Sequence, residues 1–404
     1  MADLPIVLVL APWPVRLQSP PGLEFETRDL DCRWHASDER LDEILVQVGP
    51  DAIASFGDRA AFPRLARAGY DVRRRWLHFD APPEGLNEAD RERAGALVYA
   101  NVLHRVLTAP DAPPASTPLV SVFTPTFRPG DRIRRTFRSL QAQTYNRWEW
   151  VVADDSDDEG VTWRTLRELA ATDARVSVHA SARHSGRIGE MKRRTCALSQ
   201  GEILVELDHD DELTPDALGT IVEAFRREPR VGFVYSDWAE VDEVHGTPLV
   251  YSDGWAFGYG RYRIERYGGR DLQVAIAPPI DGTTIRHIVS APNHVRAWRR
   301  DDYWRIGGHN PHLHVADDYE LVVRTFLQTE MRHLPRLLYL QYLQKGANAQ
   351  DRRRGDIQRL VRAIAQHYDE RITQRLRELD PSGSESSVLA ASTRRGDDVF
   401  RQTI

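Results

Sequence analysis

The sequence predicts an α/β protein: a Rossmann-like domain with a mostly parallel sheet, preceded by a small α/β N-terminal domain. Three observations carry this expectation. Apolar runs rich in Val, Leu and Ile alternate with amphipathic helical patterns along most of the chain. A proline-rich stretch breaks that alternation once. Polar and acidic residues gather where several of the apolar runs end, which is where open parallel sheets bind their ligands. With 404 residues and 41% hydrophobic content, the chain can bury a substantial core, and its length suits two domains.

In the first 107 residues, "PIVLVLA", "DAIASFG" and "RRRWLHFD" read as strands, and "DERLDEILVQV" and "NEADRERAGALVYANVLHRVL" as helices. They form an accessory α/β domain over residues 1–107 that has no glycine-rich phosphate loop. Arg73, Arg74 and Arg75 read as a solvated strand end rather than a binding edge. "TAPDAPPASTP", residues 108–118, holds four prolines among small residues, a composition that stays extended and cannot pack, so it is a linker.

The main domain spans residues 119–350. "LVSVFTPTF" is a strand, and "DRIRRTFRSLQAQ" a helix with Asp131 as N-cap and Ile133, Phe137 and Leu140 on one face. "WEWVVADDSD" returns as a second strand, completing a βαβ unit. "TWRTLRELAA", "RVSVHA", "GEMKRRTCALSQ" and "EILVELD" continue it as helix, strand, helix and strand. Thr124, Pro125 and Thr126 end the first of these strands, Asp154 and Asp155 the second, and Asp208 to Asp211 the fourth, so they are expected at one edge of the sheet. Residues 351–380 form an amphipathic helix with Ile357, Leu360, Val361, Ile364, Tyr368, Ile372, Leu376 and Leu379 on one stripe. That stripe suits packing on the main domain or on a second copy better than a peripheral membrane contact. The tail, residues 381–404, has the composition of a disordered segment.

Composition narrows the partners. A net charge of −6 with interspersed signs gives no polyanion-binding field, so nucleic acid is not an expected partner. Cys32 and Cys196 are the two cysteines, far apart in sequence, which argues against a disulfide framework and suits a reducing compartment, so the cytoplasm is the expected location. No stretch approaches eighteen apolar residues, so a membrane-bound substrate would be reached from the surface.

"VELDHDDELTPDAL" carries the chemistry. Read as architecture, it is a solvated turn and a helix start, with Thr214 as N-cap, Pro215 at the first helical position and Asp216 in the first turn. That account leaves out Asp208, Asp210 and Asp211, whose carboxylates repel one another unless a cation joins them. Oxygen ligands of this kind suit Mn²⁺ or Mg²⁺; a calcium EF-hand fails because Leu213 stands where its loop needs glycine. "RHSGRIGEMKRR" adds Arg187, Lys192 and Arg193 near a helix start, a setting that favours phosphate.

These residues together resemble the family 2 glycosyltransferases of GT-A fold. The likeness runs from about Pro118 to Gln350 through "PLVSVFTPTFRPGD", "WEWVVADDSDD", "ALSQGEILVELDHDDELTPDAL", "VGFVYSDWAEVDE" and "IGGHNPHLHVADDYELVVR", in that order. It implies a metal-dependent, inverting transfer of a sugar from a nucleoside-diphosphate sugar to the hydroxyl of a carbohydrate, glycolipid or protein. It implies that Asp155 and Asp154 contact the base or ribose. "DHDD" becomes the D-x-D element, with Asp208 toward the nucleotide and Asp210 or Asp211 toward the metal.

The resemblance also places the catalytic base in the pair Asp317 and Asp318, where the family usually has Glu-Asp, and the alignment favours Asp318. Asp317 with Glu320 three residues later fits a capping box as well. The segment between the acidic motifs is the expected acceptor surface: Trp255, Tyr259 and Tyr262 to stack on sugar rings, Asn293, His294 and Arg296 to hold hydroxyls or a phosphate. His309, His312 and His314 match no standard zinc spacing. The Q-x-x-R-W element of processive synthases is not in this sequence, so transfer of one or few sugars is expected. Some relatives complete the metal site with a His in the closing segment, where this chain has "YLQKGANAQ", leaving the third ligand open. Two rival readings remain: a nucleotidyltransferase, which would release pyrophosphate but whose glycine-rich start is missing after the first strand, and a silent carbohydrate-binding scaffold.

Overall fold

The computed structural model describes residues 6–11, 26–31, 50–57 and 76–79 with a few helical positions between them, and then 117–181, 184–251, 258–289, 291–343 and 353–379. The first described elements are β1 (Ile6–Ala11), β2 (Glu26–Asp31), β3 (Ala52–Phe56) and β4 (Trp76–Phe79). Next come β5 (Val120–Thr126), α1 (Arg132–Gln141), β6 (Trp148–Asp154), α2 (Val161–Thr172), β7 (Val176–Ala180), α3 (Ile188–Leu198), β8 (Ile203–Glu206), β9 (Glu212–Leu213) and α4 (Ala217–Arg227). The chain continues through β10 (Val231–Asp242), β11 (Pro248–Leu249), β12 (Arg261–Tyr267), β13 (Arg270–Ile276) and α5 (Thr284–His287). The described elements end with β14 (Arg296–Arg299), α6 (Arg300–Arg305), α7 (Asp317–Gln328), β15 (Glu330–Leu343) and α8 (Arg354–Leu379). From β5 to β8 the order is the one expected from the sequence. The helical pattern at 87–107, most of the linker, Arg73 to Arg75, Trp255 and the tail from 381 lie outside the described residues.

Two compact units interleave along the chain: Met1–Gly130 with Arg147–Gly186 and Met191–Leu204, and Asp131–Asn146 with Arg187–Glu190 and Val205–Ile404. In the first, β2, β1, β3 and β4 lie side by side in that order, all parallel. β1 and β3 are buried on both faces, as continuous apolar runs in parallel sheets are. Leu8, Leu10, Ile53 and Trp76 pack with Leu41, Phe62 and Leu65. Strands β5, β6 and β7 are also parallel, and their register sets Thr126 beside Asp154 and Asp154 beside Ala180.

The second unit departs from the parallel pattern. β10 pairs antiparallel with β14 over its first half and with β13 over its second, and parallel with β15. β12 and β13 form a hairpin closed by Gly268 and Gly269, both at positive φ (57° and 81°), the backbone that a two-residue hairpin turn requires. The C-terminal stripe is covered inside this unit: Val361, Ile364, Tyr368 and Ile372 pack on Tyr319, Val322, Val323 and Phe326 of α7 and on Ile285. Arg286 adds bonds to Asp369 (2.7 Å) and Thr373 (2.7 Å). Burial of each such side chain stabilises by about 1.5–3 kcal/mol, so α8 is an integral layer rather than a tether.

Two helix starts differ from expectation. α4 begins at Ala217 with Asp216 in the cap position, not Thr214. The Thr214 N–H is instead taken by the Leu338 carbonyl (3.0 Å), and its hydroxyl donates to Asp216 (2.8 Å), so the residue belongs to the strand side of the turn. α7 begins at Asp317 after Ala316, which sits in the left-handed region (φ 55°). The capping box does not form, because the Glu320 carboxylate is claimed by Arg324 (2.7 Å) and by the Tyr368 hydroxyl (3.0 Å).

Candidate active site

The strand ends of the first unit are built by hydrogen bonds within the sheet. Thr124 accepts from the Trp150 indole (2.8 Å), and Pro125 and the buried Thr126 complete β5. Asp154 accepts from the Ser156 N–H (2.9 Å); its burial pushes the carboxyl above the ordinary range. The Asp155 N–H donates to the Thr126 carbonyl (2.9 Å). Its carboxylate accepts from the Ser185 N–H (2.8 Å), the Ser185 hydroxyl (3.0 Å) and the Gly186 N–H (3.3 Å), while His184 Nδ1 bonds the Asp155 carbonyl (2.9 Å) and lies 2.9 Å from Oδ2. Asp155 thus fixes the turn at 184–186, and the His184 ring is laid on Phe127 with centroids 4.5 Å apart. Lys192 is buried, whereas Arg187 is exposed.

In the second unit, one group among the described residues could hold a cation: Asp208, Asp211 and His294, whose ligand atoms all lie within 4.8 Å of one another. The turn explains which carboxylates meet. The Asp211 N–H donates to the Asp208 carbonyl (3.3 Å), folding the pair three residues apart onto one side. Asp210 is not in the group; its backbone carbonyl is held by Arg135 (Nε at 3.0 Å), which stacks on Tyr342 at 3.7 Å. Asp211 accepts from the Tyr339 hydroxyl (2.8 Å) and the Tyr342 N–H (2.8 Å), and Tyr339 accepts from the Asp208 N–H (3.2 Å). Burial, then the charges of Asp210 and Asp208, raise the Asp211 carboxyl well above the ordinary range. A bound cation would relieve that cost, so two carboxylates and an imidazole fit Mn²⁺ or, less closely, Mg²⁺.

The acid pair at the start of α7 divides clearly. Asp317 is 3% exposed, with Oδ2 3.9 Å from His309 Nε2. His309 in turn shares a 2.8 Å hydrogen bond with Tyr303, and with His312 and His314 it forms no cation group among the described residues. The Asp318 side chain keeps 28% of its surface open. Its Oδ2 accepts from Arg296 Nη1 (2.8 Å) and its Oδ1 from the Tyr319 N–H (2.8 Å). Gly189 makes the local approach to this corner feasible: a Cβ there would sit 2.2 Å from the Asn310 carbonyl and 3.2 Å from the Asp317 Cβ.

The expected acceptor residues are distributed otherwise. His294 joins the carboxylates, and Arg296 is buried between Glu206 (3.1 Å) and Asp318, too enclosed to touch an acceptor. Asn293 donates to Gln341 (3.3 Å). The Tyr262 hydroxyl accepts from the Tyr251 N–H (3.0 Å), and Tyr259 is 38% exposed. A separate cavity of about 230 Å³ is lined by Arg263, Glu265, Tyr267 and Arg336, with Arg263 and Arg336 already paired to carboxylates.

Residues 121–278 match the family model for glycosyl transferase family 2, and this stretch is a domain of that family. The chain is similar to the O-antigen biosynthesis protein RfbC of Myxococcus xanthus, at 28% identity over 44% of this chain and 14% of the relative. It is 27% identical to the putative colanic acid biosynthesis glycosyl transferase WcaA of Escherichia coli over 33% of this chain and 47% of the relative. The chain therefore spans less than half the length of these relatives. Among solved structures, S. aureus TarS 1–349 in complex with UDP-GlcNAc aligns with a TM-score of 0.45 and 17% identity, over 70% of this chain and 78% of that one. No helix among the described residues is long and apolar enough to cross a membrane.

Proposed function

We propose that the protein moves a sugar from a nucleoside-diphosphate sugar to an acceptor hydroxyl, with inversion, one or few sugars at a time, on the cytoplasmic side. The observation that carries this reading is the meeting of Asp208, Asp211 and His294 within 4.8 Å. A divalent cation held there would neutralise the charge that gathers on a departing diphosphate. Asp154, Asp155, Thr124, Pro125, Thr126 and Lys192 are assigned to the nucleoside sugar, and Arg187 to the phosphates. Asp318 is the base: partly open, with both oxygens fixed, it takes the acceptor proton as the hydroxyl oxygen bonds to the anomeric carbon. The bond from that carbon to the phosphate oxygen breaks on the opposite face, and the nucleoside diphosphate leaves. Mn²⁺ is the favoured ion because one of the three ligands is nitrogen. The test is a panel of nucleoside-diphosphate sugars with Mn²⁺ or Mg²⁺. Free nucleoside diphosphate supports the reading; pyrophosphate, or no turnover of any donor with either ion, sinks it.

A further inference from the structure

Arg296 lies in β14, only 3% exposed, and its two terminal nitrogens go to different carboxylates. Nη1 donates to Asp318 Oδ2 at 2.8 Å and Nη2 to Glu206 Oε1 at 3.1 Å. Glu206 is 1% exposed at the end of β8. We infer that Arg296 is a positioning residue for Asp318, itself locked in place by Glu206. This rests on the reading of Asp318 as the base.

A planar guanidinium bonded at both ends cannot rotate without breaking one bond, so its fork transmits the fixed place of Glu206 to the oxygen of Asp318. The remaining Asp318 oxygen is tied to the Tyr319 N–H at 2.8 Å, which leaves the carboxylate no free torsion. Glu206 has a second task. A buried guanidinium facing one half-open carboxylate would be poorly compensated, and the fully buried Glu206 supplies the missing charge. Arg296 itself is too enclosed to reach substrate, so any effect it has on turnover passes through Asp318. A base displaced by about 1 Å from its working geometry loses roughly 100-fold in rate.

Two variants test this. Arg296→Lys keeps the charge, but one ammonium cannot span both carboxylates. The pair Glu206→Leu with Arg296→Met removes both members of the buried ion pair together, which preserves folding better than removing one. Binding is read by calorimetry with UDP or GDP and Mn²⁺. Turnover is read as nucleoside diphosphate released from UDP-N-acetylglucosamine or GDP-mannose with water as acceptor. The expected result is donor affinity within about threefold of wild type and kcat lower by ~10- to 100-fold, with KM little changed. On an Asp318→Asn background the double substitution adds almost no further loss, since both act through one group. Additive losses, or a fall in donor binding with kcat intact, overturn the proposal. If Asp318→Asn is inactive while the Arg296 variants turn over normally, the positioning role alone fails. If Asp318→Asn turns over at the wild-type rate, the assignment of the base fails and takes this inference with it.

Discussion

The His294 imidazole lies flat on the Tyr339 ring, with centroids 4.0 Å apart and planes 5° from parallel. The same tyrosine donates its hydroxyl to Asp211. Tyr339→Phe keeps the stack and removes the hydrogen bond. Second-layer changes of this kind typically cost ~10- to 100-fold in metal affinity, and calorimetry with Mn²⁺ and a nucleoside diphosphate measures it. Unchanged affinity would mean that Tyr339 serves only as packing.

A nucleoside diphosphate should stabilise the protein only when a divalent cation is present, because bare Asp208 and Asp211 repel phosphate. At ~100 times its dissociation constant the added stability is about 2.7 kcal/mol, seen as a rise in melting temperature. Asp208→Ala, Asp211→Ala and His294→Ala abolish the cation-dependent part, while Asp210→Ala keeps it. Equal stabilisation in EDTA removes the metal reading.

Within the acid pair, Asp318→Asn should leave donor affinity intact and lower transfer by ~10² to 10⁴. Asp317→Asn acts on stability instead, since Asp317 is enclosed beside His309. Product mass and calorimetry on both variants decide it; the reverse pattern exchanges the two roles.

Asp237 gives the pH dependence. Burial would raise its carboxyl, but bonds from His333 (2.7 Å), the Ala277 N–H (2.9 Å) and Arg263 outweigh burial and hold it below the ordinary value. The stability it contributes is therefore complete above about pH 4, the unfolded-state value, and is lost as pH falls through the lower folded value. Asp237→Asn weakens the bonds to His333 and to Arg263, which keeps Glu265 (3.1 Å), and should cost about 1–3 kcal/mol at pH 7. Urea melts at pH 7 and pH 3 test this: the gap between wild type and variant should shrink at pH 3, and a constant gap counts against it.

Ile372 is fully buried against α7, so Ile372→Ala should cost about 2–5 kcal/mol, read from denaturant midpoints. A cost below 1 kcal/mol would show that α8 is only loosely seated.

The strands and helices from β5 to β8 were legible because their apolar runs and periodicities are strong. β2, "ETRDLD", was not: it lies at the sheet edge, where a polar strand needs no apolar run. The carboxylate cluster was visible, with Asp208 expected toward the nucleotide and Asp210 or Asp211 toward the metal; the turn brings Asp208 and Asp211 together and leaves Asp210 out. His294 stands far from both in sequence, and only tertiary packing brings an imidazole there. Arg296 sits in the arginine-rich run "HVRAWRR", expected on the acceptor surface; it is buried instead against Glu206, a partner that no local pattern reveals. The hairpin at β12 and β13 did carry a signal in its Gly-Gly pair, overshadowed by the surrounding aromatics.

The bracing of α7 by α8 sets an order of events during synthesis. Asp317 and Asp318 emerge from the ribosome before residues 354–379, which supply the surface on which their helix rests. A nascent chain can therefore pair β5, β6 and β7 early, whereas the helix that carries Asp317 and Asp318 gains its full packing only after α8 has been made. Ribosome-stalled chains ending before Arg354 should expose α7 to protease, and chains stalled after Leu379 has cleared the exit tunnel should protect it. Protection in the shorter chains would show that α7 needs no such support.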